Sequence, residues 1–118
     1  MIDFIFVYII LIHFLADFAL QTNDQAVKKS SSVKYLLFHV CTYSLVWFIA
    51  TLPILGWWAA TSFASITFIC HGITDYFTSR INKKFFDKQD LHNGFVGIGF
   101  DQVLHYLQLW FTFKLFLL

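Results

Sequence analysis

Glutamate is absent from all 118 residues, and that single gap removes several chemistries. A zinc-protease helix of the H-E-x-x-H type cannot be built. No G-x-S-x-G nucleophile elbow and no phosphate-binding P-loop occur either. Cysteine is limited to Cys41 and Cys70, far apart and without C-x-x-C spacing, so neither a disulfide framework nor a thiolate metal site is indicated. Both are expected to pack as small buried hydrophobes; Cys70 adjoins His71 but points about 100° away from it on a helix. Charge is scarce too. Only 13% of residues are charged, against about a quarter in a soluble domain.

What is present is apolar: 58% hydrophobic residues, 21% aromatic, and a mean hydropathy of +0.67. The length allows one domain. The expected class is all-α, an integral membrane four-helix bundle over residues 1–118. Met1-Ile2-Asp3 lacks the positive region of a signal peptide and no A-x-A-like site follows, so the first apolar run is expected to remain as a span.

Four apolar stretches predict spans at about 2–21, 33–52, 57–79 and 100–118. Polar loops are expected at 22–32 and 80–93, with Phe85 and Phe86 of the second lying at the membrane interface. Pro53 and Gly56 mark a tight turn beside Trp57 and Trp58, which suit an interface. Gly94, Gly97 and Gly99 predict an irregular start to the last helix. Seven of the eight basic residues fall in or beside the two longer loops, Lys114 being the exception. By the positive-inside rule both loops face the cytoplasm and both termini the periplasm, in a multi-pass protein of the bacterial inner membrane.

Set into these oily runs is a recurring pair, a histidine and an aspartate four residues apart. It occurs as His13 with Asp17, as His71 with Asp75, and reversed as Asp101 with His105; His39 stands alone. A spacing of four stacks two side chains on one helix face, about 6 Å apart. The reversal in the fourth span is what a descending helix requires if its aspartate is to lie outermost like the others. All seven groups then share one layer near the cytoplasmic face.

Magnitudes favour a bound cation over a bare polar network. One aspartate at a helix centre costs about 2.5–3.5 kcal/mol to insert, so three cost roughly 8–10. Interhelical hydrogen bonds return only about 0.6 kcal/mol each. Structural zinc supplies about 10 kcal/mol or more. Seven donors exceed the three or four that one zinc takes, so the expectation is one or two divalent ions, zinc first with manganese or iron as alternatives. A dinuclear site with a bridging aspartate is the arrangement that uses every donor. Gln21 and Gln102 are expected as hydrogen-bond partners of the donors, with Tyr35, Tyr43 and Ser79 in the same layer. His92 reads as a solvated turn residue. The basic loop residues Arg80, Lys83 and Lys84 are assigned to lipid headgroups.

The stretches HFLADFALQTN, HGITDY and FDQVLH resemble a family of small bacterial and phage-borne membrane proteins, domain of unknown function 3307, over nearly the whole chain. Its members carry the histidine and aspartate of His13 and Asp17, the histidine of His39, the aspartate of Asp75, and the D-Q-x-x-H of Asp101, Gln102 and His105. A looser similarity joins it to membrane-bound metal-dependent hydrolases.

The resulting expectation is a membrane-embedded metal-dependent hydrolase facing the cytoplasmic leaflet. A bound water with its pKa lowered towards about 7 is the nucleophile, and Asp101 or Asp17 is the general base. Its depth favours a lipid-linked or amphiphilic substrate, phosphoesters included. Two rival readings stand beside it: an ion, proton or metal transporter or relay, and a metal-stapled structural or partner-binding subunit. Membrane lipid is the expected partner; a homo-oligomer is compatible with the aromatic outer surface, and no nucleic acid is expected.

Overall fold

A computed structural model describes residues 2–117. Among them it is all-helical: α1 (Ile2–Phe14) continuing into a π-helical turn (Leu15–Ala19), α2 (Asn23–Lys28), α3 (Val33–Leu55), α4 (Trp57–Asp87) and α5 (Leu91–Leu117). The four long segments form a ring of antiparallel neighbours. Tyr8 donates to the Ala50 carbonyl and His13 meets Tyr43, so α1 runs against α3. Trp47 lies on Phe63, and Phe63 on Phe113, which fixes α3 against α4 and α4 against α5. Phe6 on Trp110 closes the ring between α1 and α5.

The interior has two parts. Ile5, Ile9, Trp47, Phe63, Leu109 and Phe113 fill one end as an apolar plug. The other end buries the histidines and aspartates. Large apolar side chains such as Phe4, Ile49, Ile69, Phe77, Leu107 and Phe111 are turned outward on all four long segments. Cys41 is exposed and Cys70 half-buried, so neither packs in the core as expected. An apolar outer face accommodates a thiol as readily as a core does.

Several boundaries depart from the sequence expectation, each for a local reason. The stretch 22–32 is not simply a loop. Thr22 and Gln25 form a reciprocal capping box that starts α2, the Gln25 amide N–H reaching Thr22 Oγ1 at 3.1 Å and the Thr22 N–H reaching Gln25 Oε1 at 3.2 Å. Helix α3 passes through Pro53 to Leu55, because a proline in the last turn forfeits only one backbone bond. The chain reverses at Gly56 alone, whose φ of 81° and ψ of 173° favour glycine.

The second expected loop, 80–93, is mostly helix. Helix α4 runs on to Asp87, and α5 starts at Leu91 under Asp90, whose carboxylate accepts from the Asn93 backbone and side chain. The glycines do not interrupt α5. A Cβ at Gly94 would lie 2.7 Å from the Phe86 ring, and one at Gly97 would strike Asn82. These two positions are glycine because α4 approaches there. Phe85 and Phe86 are half-buried, and Phe86 packs edge-on against Phe95, so it faces α5.

A prediction separates these roles. Gly94→Ala forces the Phe86 ring aside and lowers stability by about 1–3 kcal/mol. Gly99→Ala meets no atom within 4 Å and raises helix stability by roughly 0.5–1 kcal/mol. Thermal unfolding of the two purified variants should therefore shift in opposite directions.

Candidate metal centre

Five elements supply the seven sequence-predicted donors. His13 comes from α1, Asp17 from the π-helical turn, His39 from α3, His71 and Asp75 from α4, and Asp101 and His105 from α5. All are buried, and the most exposed, Asp101, shows only 8% of its surface. The antiparallel ring explains the convergence: pairs four residues apart on neighbouring helices face one another only if every helix carries them at the same depth.

Four donors close on one point. His39 Nε2 lies 3.0 Å from His71 Nε2, 2.9 Å from Asp17 Oδ1 and 3.2 Å from Asp75 Oδ2. His71 Nε2 lies 3.6 Å from Asp17 Oδ1 and 3.4 Å from Asp75 Oδ2. A tetrahedral zinc with bonds of about 2.0–2.1 Å has donor–donor edges of about 3.3 Å. The two imidazole nitrogens can share only one proton between them. A cation would use both lone pairs. Asp17 Oδ1 and His39 Nδ1 make no aligned hydrogen bond.

A second group consists of Asp17, Asp101 and His105, with Asp17 common to both. His105 Nε2 stands 3.1 Å from Asp101 Oδ2 and 3.0 Å from Asp75 Oδ1. These buried His/Asp groups can hold a metal ion. They are not independent, because His71 Nδ1 meets His105 Nδ1 at 3.2 Å. If His71 offers its Nε2 lone pair, its Nδ1 carries the proton and donates it to His105 Nδ1. His105 must then be protonated at Nε2, where it donates to Asp75 or Asp101 rather than binding a cation. Filling both groups requires that histidine contact to open.

His13 stands beside the two groups. Its Nε2 is 2.6 Å from Gln102 Oε1, which can only accept, so that nitrogen carries the proton. Its Nδ1 therefore accepts from the Tyr43 hydroxyl at 2.8 Å. The Gln102 amide in turn donates to Asp101 Oδ2 at 3.1 Å. A line of polar contacts thus runs Tyr43, His13, Gln102, Asp101. Tyr43 also stacks on His71, with ring centroids 3.7 Å apart and planes within 9°. Gln21 makes no hydrogen bond to the donors among the described residues, and its amide oxygen is buried without a partner. Tyr35 lies under the Lys28 ammonium, away from the centre.

Two participants escape the sequence reading. Thr78 donates to Asp101 Oδ1; its hydroxyl also lies 2.9 Å from the Thr74 carbonyl of its own helix, and no local pattern signals the contact across to α5. Lys29, read as a loop charge, puts its ammonium 3.1 Å from Asp75 Oδ2. Burial opposes that charge, but Asp75 and Asp17 outweigh it and hold the lysine pKa above its ordinary value. The T-x-x-Q capping signature marks the start of α2, but the direction of Lys29 depends on Asp75, 46 residues away.

Above the donors lies a cavity of about 300 Å³, with Asp17, Asp75 and Asp101 on its wall beside Lys29, Ser79 and Lys83. No curated protein and no solved structure matches the chain. Residues 5–117 match the family model described as Protein of unknown function (DUF3307), and the chain belongs to that family.

Proposed function

We propose that this protein is a membrane-embedded metal-dependent hydrolase whose site opens toward the cytoplasmic leaflet. The observation that carries the reading is the cavity of about 300 Å³ bounded by the same carboxylates that serve both donor groups. A cation held there borders a space of substrate size. Support for a membrane setting comes from the inverted distribution of polarity. Large apolar side chains point outward on the four long segments, while the ionisable groups point inward. One helix, Val33–Leu55, is by itself long and apolar enough to cross a bilayer. The basic loop residues gather at the cavity end, which on the positive-inside rule is the cytoplasmic side of a bacterial inner membrane.

The chain's own residues divide the work. His39, His71, Asp17 and Asp75 offer a four-donor cage whose imidazole and carboxylate mixture suits zinc, manganese or iron. A bound cation would lower the pKa of a water towards about 7 and polarise the scissile bond. Asp101, oriented by Thr78 and Gln102 and paired with His105, is placed to take that water's proton as general base. His13 and Tyr43 fix Gln102, and through it Asp101. The substrate is lipid-linked or amphiphilic, since Phe18 and Ile98 give the cavity an apolar side.

A second reading has its own observation. Four protein donors at tetrahedral spacing leave no free position, which is the pattern of structural zinc. On that reading the metal only staples α3, α4 and the π-helical turn.

Elemental analysis of the detergent-purified protein should find at least one equivalent of divalent metal per chain. His71→Ala should remove it. Chelation should lower the melting temperature, because the ion binds only the folded state. Protein that takes up no metal even after reconstitution defeats both readings.

Asp101→Asn decides between them. The isosteric amide leaves the four-donor cage untouched, so metal content should stay as in the wild type. The melting temperature should fall modestly, because the new NH2 meets a donor where a carboxylate oxygen accepted. Hydrolysis of amphiphilic ester substrates should fall by about 10²–10⁴-fold, the usual contribution of a general base. Unchanged turnover removes Asp101 from the mechanism; no turnover in either protein on any ester class leaves the staple.

A further inference from the structure

We propose that the cavity above the donors binds a phosphate group, with Lys29 as the residue that meets its charge. This rests on the hydrolase reading and names its substrate class as phosphoesters.

The argument begins with Lys29. Its side chain is only 18% exposed, and it is the cation among the described residues that reaches the donor set, 3.1 Å from Asp75 Oδ2. That oxygen also belongs to the four-donor cage, 3.2 Å from His39 Nε2. A metal ion on Asp75 and an ammonium on the same oxygen repel each other. Metal loading therefore drives the ammonium off Asp75 and into the adjoining cavity. A neutral ester or amide would leave it there, nearly buried and short of counter-charge, with only the Asp101 carboxylate on the same wall, which is costly. A phosphate group supplies that counter-charge, one oxygen toward the cation and another toward the lysine.

The wall supports the same assignment. Ser79 lines the cavity, and its Oγ is buried with no hydrogen-bond partner. The unspent hydroxyl, on the same cavity wall as Lys29, can donate to an anionic oxygen once the side chain turns into the space. Lys83 also borders the space, but its side chain is 45% exposed beside Asp87, so the more buried Lys29 carries most of the charge recognition. Without a cation the three aspartates would expel an anion. Phosphate and metal binding should therefore reinforce one another, and by linkage the effect is mutual. For hydrolysis, the water oxygen bonds to phosphorus as the ester P–O bond breaks. The water's proton passes to Asp101, and a proton returns from it to the departing alkoxide.

The test uses the full chain in detergent, loaded with metal, with metal content measured on every sample. Inorganic phosphate is titrated calorimetrically into wild type, Lys29→Gln, Lys29→Arg and Ser79→Ala. Phosphate should bind the wild type, bind Lys29→Gln at least tenfold more weakly at unchanged metal content, and recover most of its affinity in Lys29→Arg. Ser79→Ala should weaken it several-fold. Competition then identifies the source of the group. Displacement by phosphatidic acid in the micelle points to a lipid headgroup, and displacement by glycerol phosphate alone points to a water-soluble ester. Metal-loaded protein indifferent to phosphate overturns the inference while leaving the hydrolase reading intact. Protein that takes no metal overturns both. Should Lys29→Gln lose its metal, an unchanged phosphate affinity in Ser79→Ala overturns the phosphate assignment.

Discussion

Three carboxylates buried among apolar helices are the constraint from which the rest of this structure follows. Asp17, Asp75 and Asp101 are each almost wholly removed from solvent. An uncompensated buried charge costs several kcal/mol, enough to unfold a small domain whose whole stability is of that order. Each carboxylate is accordingly met from another element: Asp17 by His39, Asp75 by His105 and Lys29, Asp101 by Thr78. Every long segment thus has one fixed depth and one fixed rotation about its axis. A shift of any helix by one residue would turn its ionisable groups about 100° away from their partners.

Other features serve that registration. The apolar plug of Trp47, Phe63 and Phe113 sets the spacing of α3, α4 and α5 at the far end. Close approach at Gly94 and Gly97 brings α4 and α5 together at the near end, where Thr78 must reach Asp101. The capping box of α2 fixes a short helix whose purpose is visible only at its end, in the ammonium of Lys29. Stability and site chemistry draw here on the same contacts, so the donors cannot be altered as if they were surface residues.

The sequence made the all-helical class, the number of long segments and the convergence of the histidine–aspartate pairs legible, because all three rest on strong periodic signals: long apolar runs, and histidine–aspartate pairs at a spacing of four. The basic loop residues gave the shared depth. Less legible were features that depend on a neighbour across space. Gly94, Gly97 and Gly99 look like helix breakers in one dimension, and only the nearness of Phe86 and Asn82 explains the first two. Asp90 as a helix cap was readable in principle but lay inside a stretch dominated by polar loop composition. Lys29 could not be distinguished from the other loop lysines, since nothing local separates a solvated ammonium from one folded back onto Asp75. Likewise the commitment of both His13 nitrogens to Tyr43 and Gln102 has no sequence signature. Spacing places a histidine near a site; hydrogen bonding decides whether its lone pair is free.

The π-helical turn at Leu15–Ala19 bears on why Asp17 is the residue common to both donor groups. In a regular helix an aspartate four residues after His13 lies directly over it, and its carboxylate is largely spent on that neighbour. One extra residue in the turn widens the helix locally, a distortion that recurs at functional sites. Here His13 Nε2 remains 3.4 Å from Asp17 Oδ2, too long for a committed hydrogen bond, while Oδ1 reaches across to His39 at 2.9 Å. The local helix geometry is thus traded for a carboxylate that faces inward with spare acceptor capacity. The five-residue turn carries no proline or glycine to force it. The interior partners of Asp17 therefore account for the distortion better than anything in LADFA itself, and relieving the turn would move the one carboxylate that both donor groups share.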